Sequence, residues 1–233
     1  MTIDIDFLLQ AIPNTPEALR PVLDEIIAVD TGNDFITFEV TKIMPIASAK
    51  KYAGIGATIV ARIKNTRTVF SVDFGVGDVI VPRPEKRRIP SQLVGFESPV
   101  VSAYSVESAV AEKLDAILSL MEFSSRMKDY YDILYLSRKF DFDGTTLTEA
   151  IARTIDNRGR NFEATRFDLL MALAGDSVME KKWTAFLRKI KTDEVDFPKM
   201  LSLLDQFLRA VVTAATSGRN LTKTWYSIEG QWR

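Results

Sequence analysis

Two aspartates stand at the very start of the chain, in the run TIDIDFLLQ over residues 2–10. Side chains alternate across a strand. A strand here therefore points Thr2, Asp4 and Asp6 to one side and Ile3, Ile5 and Phe7 to the other. The apolar side is expected to be buried, and the other to present two carboxylates. At an oxygen separation near 4 Å their repulsion would be about 4 kcal/mol at an effective dielectric of about 20. Water screening at a solvated strand end, or a cation between them, relieves it. A second strand has the same design. In RTVFSVDF (67–74), Phe70, Val72 and Phe74 share one face, and Ser71 and Asp73 the other. If both strands belong to one sheet, Asp4, Asp6 and Asp73 share a side and outline an oxygen-only site for Mg²⁺.

Two further positions break an apolar pattern. The segment VESAVAEKLDAILSLM (106–121) carries a helical stripe of Val106, Val110, Leu114, Ile117 and Met121. Lys113 lies near the middle of it. Lysine is rarely buried without a partner, so its ammonium either snorkels to the edge or points at a phosphate or carboxylate. In MKDYYDILYLSRKF (127–140), Asp129 heads the spacing Asp129, Ile133, Leu136, Phe140, with Asp132 on the flank. A buried carboxylate needs a cationic or hydrogen-bonding partner, and Lys113 or Arg126 can supply one. A salt bridge between the two helices and a functional role are compatible.

Composition narrows the chemistry. The 233 residues contain no cysteine and no histidine. Disulfides, thiolate nucleophiles, Cys or His metal sites and every histidine base are excluded. What remains is Asp, Glu, Lys, Arg, Tyr, Ser and Thr, for which carboxylates holding a hard cation are the natural arrangement. The 30 basic and 31 acidic side chains give a net charge of -1, so no global basic field advertises nucleic acid. Hydrophobic content of 46% is that of an ordinary globular protein with a real core. With no secretory signal and no long apolar run, the expected location is the cytoplasm.

The elements that must position these residues change character along the chain. Residues 16–29 have the helical spacing Leu19, Val22, Leu23, Ile26, Ile27, with Asn14-Thr15-Pro16 as its start. Strands are expected at 35–44, 57–64 and 67–74, with Asn65-Thr66 turning between the last two. Residues 75–99, rich in Gly and Pro, read as irregular chain. The run Arg83, Lys86, Arg87, Arg88 within it reads as a solvated loop or as a phosphate or nucleic-acid contact. Gly75-Val76-Gly77 lacks the third glycine and the helix of a dinucleotide fingerprint. Helices are expected at 106–122, 127–139, 146–157, 164–174, 178–190 and 197–216. An α/β part of about 100 residues thus precedes a helical part.

Together these residues resemble the AbiEii/AbiGii-type nucleotidyltransferase-like toxins, within the DNA polymerase β nucleotidyltransferase superfamily. DIDF (4–7) resembles the Asp-x-Asp metal motif, and SVDFGVGD (71–78) the strand bearing the third carboxylate. AYSVESAVAEKLDAIL (103–118) and SRMKDYYDILYL (125–136) resemble the family's YSxExxxAEKLxAL and RxxDxxDL helices. The resemblance implies an α+β fold: a nucleotidyltransferase-like mixed sheet with a flanking helix over 1–104, then a helical bundle over 105–233. It implies Mg²⁺ held by Asp4, Asp6 and Asp73, and catalysis by these three with Lys113. Lys113, Arg126, Asp129 and Asp132 would bind the nucleoside triphosphate. It further implies transfer of a nucleotide to an RNA such as tRNA, or to a protein, and an antitoxin partner in phage defence or growth control. The superfamily places a Gly-Gly or Gly-Ser turn, with its strand and helix, before the Asp-x-Asp strand. Here Met1 adjoins Thr2, so an in-frame upstream extension encoding them is expected. The alternative is a catalytically degenerate fold that binds an antitoxin or RNA.

Overall fold

A computed structural model of the chain describes residues 4–30, 32, 35–46, 54–91, 94–160, 163–192 and 195–233, of Asp4 only the backbone. They form two compact units, Met1–Asp78 and Val79–Arg233, in an α+β architecture.

The first unit is built on strands β1 (Asp4–Leu9), β2 (Thr37–Pro45), β3 (Ile55–Ile63) and β4 (Thr66–Val76), with helix α1 (Pro16–Ile27). The sheet order is β1-β4-β3-β2. β1 runs parallel to β4, and the other pairs are antiparallel. The sheet is therefore mixed, and among the described residues β1 is an edge. Thr15 caps α1 by accepting the Ala18 N–H at 3.2 Å, and Pro16 occupies the first turn, where its missing N–H costs nothing. Leu19 and Leu23 pack with Val40, Ile55, Ala57, Ile59, Val72 and Phe74 in one core. The apolar side of β4 is thus buried.

Three details depart from the sequence expectation. Ile5 and Phe7 remain 48% and 53% exposed, because β1 lies at the sheet's edge. Phe7 is covered on one side by Phe74, its ring stacked at 5.6 Å. The turn between β3 and β4 is Lys64-Asn65, not Asn65-Thr66: Ile63 pairs with Thr66, and Lys64 takes φ 50° to make the reversal. Ile26, on the expected apolar stripe of α1, is 58% exposed.

The second unit opens with a two-stranded ribbon, β5 (Glu85–Arg88), inside the stretch 75–99 expected to be irregular, and β6 (Val100–Ala103), just after it. Ladder pairing organises it despite its prolines. Seven helices in the chain complete the fold among the described residues: after α1 come α2 (Val106–Leu120), α3 (Met127–Lys139), α4 (Gly144–Asn157), α5 (Ala164–Ala172), α6 (Ser177–Ile190) and α7 (Phe197–Thr216). Short strands β7 (Phe142–Asp143), β8 (Thr224–Tyr226) and β9 (Gln231–Trp232), absent from the sequence expectation, close the C-terminus. Asp143, Asp176 and Asp196 cap α4, α6 and α7. α7 runs through the core, with Leu204, Phe207, Leu208 and Val211 fully buried. Trp225 and Trp232 pack on Phe207 and donate to the Ser137 and Phe207 carbonyls. At Gly144 only glycine fits: a Cβ would lie 2.5 Å from the Leu221 carbonyl oxygen. The units divide in sequence at Asp78/Val79, and Val81 belongs to the core of the helical unit.

Candidate functional site

In the first unit the carboxylates are placed by strand register. β1 and β4 pair in parallel with Asp4 opposite Ser71 and Asp6 opposite Asp73. Paired residues of neighbouring strands point to the same face, about 4.8 Å apart. Val72 and Phe74 are buried against α1, so Asp6 and Asp73 stand on the opposite face. Asp6 is exposed and Asp73 half-buried. Gly56 on β3 pairs with Asp73, and a Cβ there would come 3.4 Å from its Oδ1. Glycine leaves that carboxylate its space. Thr2 and Ile3, which the sequence also assigned to faces of this strand, lie outside the described residues, as does the Asp4 side chain.

The donor set suits a hard cation. Two oxygen-donor side chains on adjacent strands, in a chain with no cysteine or histidine to supply sulfur or imidazole, match Mg²⁺ or Mn²⁺ better than a softer metal. Among the described residues no group of three or more acidic side chains is arranged to hold a metal ion.

In the second unit the sequence's two pattern-breaking residues do meet. Lys113 on α2 donates to Asp132 Oδ2 at 2.7 Å and to Asp129 Oδ1 at 3.4 Å, both on α3. Arg126 forks onto Asp129, and Lys128 reaches Asp132 at 2.9 Å. Asp129 is only 4% exposed, whereas the Lys113 side chain keeps 23%. A carboxylate this buried requires the cations around it. Lys113, Arg126 and Lys128 are cations that reach these two carboxylates. The lysine neither snorkels away nor aims freely outward. Two carboxylates hold its ammonium, and the side chain stays partly open to water.

The start of α2 explains part of the motif YSVES that sequence reasoning did not resolve. Ser105 is its N-cap: its Oγ accepts the Ser108 N–H at 3.1 Å and donates to the Val81 carbonyl at 2.7 Å. Ser108 Oγ accepts the Val81 N–H at 2.7 Å. Two buried hydroxyls thus clamp one backbone unit to the helix that bears Lys113. Burial pushes the Glu107 carboxyl, in the first turn, above its usual value. Burial, with the Asp129 charge beside it, also raises the Tyr130 phenol. The signal for the cap was a serine immediately before the first apolar-periodic residue, Val106.

An α+β protein with an acidic face on a mixed sheet, followed by a helical unit centred on a held lysine, is the class these features define. Comparison with known families goes further. Residues 1–210 match the family described as "Nucleotidyl transferase AbiEii toxin, Type IV TA system", and the chain belongs to it. It is therefore of the nucleotidyl transferase toxins of type IV toxin–antitoxin systems, a family that implies a nucleoside triphosphate substrate and an antitoxin. No curated protein matches the chain. Among solved structures, "Crystal structure of JHP933 from Helicobacter pylori" is similar at 13% identity and a TM-score of 0.41, over 94% of this chain and 77% of that one. Among the described residues no helix is long and apolar enough to cross a membrane.

Proposed function

We propose that this protein transfers a nucleotide from a nucleoside triphosphate to an RNA acceptor, tRNA being the leading candidate, in a Mg²⁺-dependent reaction. The observation that carries the reading is the register of Asp6 with Asp73 on adjacent strands, in a chain of this family. Asp4, Asp6 and Asp73 hold the divalent cation. When bound, it supplies Lewis-acid neutralisation of the phosphate being transferred. Lys113 neutralises charge on the triphosphate. Arg126 and Lys128 share its counter-ions, and Asp129 and Asp132 hold its ammonium in place.

The test is nucleotide incorporation. The purified protein is incubated with Mg²⁺, each labelled nucleoside triphosphate in turn and unfractionated tRNA, and labelled RNA is separated from labelled protein. Asp6→Asn and Asp73→Asn should each lower transfer by at least about 100-fold, equivalent to about 2.7 kcal/mol of transition-state stabilisation. Thermal melting of each variant checks that the fold is retained. Unchanged transfer in either variant would refute the assignment. Tight triphosphate or RNA binding with no transfer to any acceptor would favour the degenerate binding module instead.

A further inference from the structure

The basic run of residues 83–88 lies on a defined surface. Along β5 and β6, Lys86 and Arg88 pair with Ser102 and Val100, and Arg88, Lys86 and both partners are exposed. Arg87, Val101 and Ala103 on the other face are half-buried. Alternation therefore gives the ribbon an outward face with two cations and no acid. The strand's own glutamate, Glu85, points the other way and is matched by Arg87 at 3.3 Å. Arg83, also exposed, stands just before the strand.

These cations are unlike many others in the molecule. Arg20, Arg62, Arg153, Arg158, Arg209 and Arg233 each reach a carboxylate. Among the described residues neither Arg83 nor Lys86 does. Arg88 uses one Nη1 contact on the Ser98 carbonyl at 3.2 Å, which leaves its other N–H groups available.

We propose that this outward face of the β5–β6 ribbon grips the phosphate backbone of the RNA acceptor; the inference rests on the RNA reading above. Two strand steps separate the Cα atoms of Lys86 and Arg88 by about 7 Å. The face is an open strip, and its backbone N–H groups are partly spent in the ladder, so it does not enclose a compact triphosphate. A strip of unmatched Arg and Lys suits a polymer whose charges recur along its length.

The experiment compares the wild type with Arg83→Gln/Lys86→Gln/Arg88→Gln. A control, Lys181→Gln/Arg188→Gln/Lys189→Gln, removes the same charge from exposed positions on α6. Fluorescently labelled unfractionated tRNA is titrated at several salt concentrations, nucleoside triphosphate binding is measured separately, and thermal melting checks the fold. The ribbon variant should bind tRNA at least about 10-fold more weakly near 0.15 M salt. The slope of log K against log salt should flatten by about 2–3, since each phosphate no longer neutralised lowers it by roughly one. Triphosphate affinity and melting temperature should stay at wild-type values. An equal weakening in the control would overturn the proposal, because net charge alone would then account for it. A wild type that binds tRNA with the ribbon variant unchanged would place the RNA elsewhere and leave the acceptor reading standing. A weakened triphosphate affinity in the ribbon variant would assign the strip to the nucleotide. A wild type that binds triphosphate but no tRNA would overturn the acceptor reading itself, and this proposal with it.

Discussion

Replacing Lys113 by methionine separates nucleotide binding from packing. Methionine keeps most of the apolar stem and removes only the ammonium. In the folded protein that ammonium lies 2.7 Å from Asp132 and 3.4 Å from Asp129. Stranding a buried carboxylate costs about 3–5 kcal/mol. Here neither is stranded: Asp129 retains Arg126 and Asp132 retains Lys128. The expected destabilisation is therefore about 1–2 kcal/mol, between the exposed and the buried cases. For a chain of this size that is a fall of about 2–8 °C in Tm. If the ammonium also contacts the triphosphate, a charge-assisted hydrogen bond of about 1.5–3 kcal/mol disappears with it. Triphosphate Kd should rise about 10- to 150-fold. The assay is isothermal titration with each nucleoside triphosphate beside a thermal melt of the same sample, and Lys113→Arg serves as the charge-retaining comparison. A folded Lys113→Met protein with wild-type triphosphate affinity would refute the role. So would a Tm lowered by much more than about 8 °C together with unchanged affinity, which would make Lys113 a purely structural partner of α3.

Two further outcomes follow from caps and tethers. Ser105→Ala removes both the helix cap and a donor to the buried Val81 carbonyl, so it should cost about 1–3 kcal/mol in chemical denaturation. A cost below about 0.5 kcal/mol would mean that Ser108 alone holds the clamp. The Asp141 carboxylate accepts the Ser227 N–H and hydroxyl, both at 2.8 Å, and these bonds hold its pKa below the usual value of 3.8. A depressed carboxylate stabilises above its unfolded pKa, and that contribution fades as pH falls through the folded one. The β8–β9 hairpin should therefore loosen only below about pH 4. Tryptophan fluorescence of Trp225 and Trp232 should report a transition there that Asp141→Asn lacks, and an identical transition in that variant would refute it.

The parts of this molecule that were legible from sequence are those where a residue type contradicts its surroundings. Lys113 and Asp129 sit on apolar stripes, and their meeting follows from the need of each for a counter-charge. Asp73 was legible because Val72 and Phe74 fix the other face of its strand. The helices of the second unit were legible from their period, and α3 agrees with its expected limits of 127–139. What escaped was set by contacts distant in sequence. The β5–β6 ribbon is held by pairing across a Pro- and Gly-rich stretch whose local signals all read as loop. Strands β7, β8 and β9 are two or three residues long, too short for a period, and are held by Trp225 and Trp232 on Phe207. The partial exposure of Ile5 and Phe7 depends on where β1 falls in the sheet order, which alternation cannot reveal.

The register that brings Asp6 opposite Asp73 also dictates when the two can meet during synthesis. Their strands are neighbours in the sheet but lie at opposite ends of the first unit, with α1, β2 and β3 between them. Parallel pairing across so long an intervening chain is slow to form, because its loop-closure entropy is spent before the contacts reward it. A nascent chain on the ribosome therefore carries Asp6 well before Asp73. The carboxylates become a pair only after β4 has emerged and closed against β1. For a toxin this ordering means that a stalled or truncated translation product has no paired carboxylates until the first unit is nearly finished.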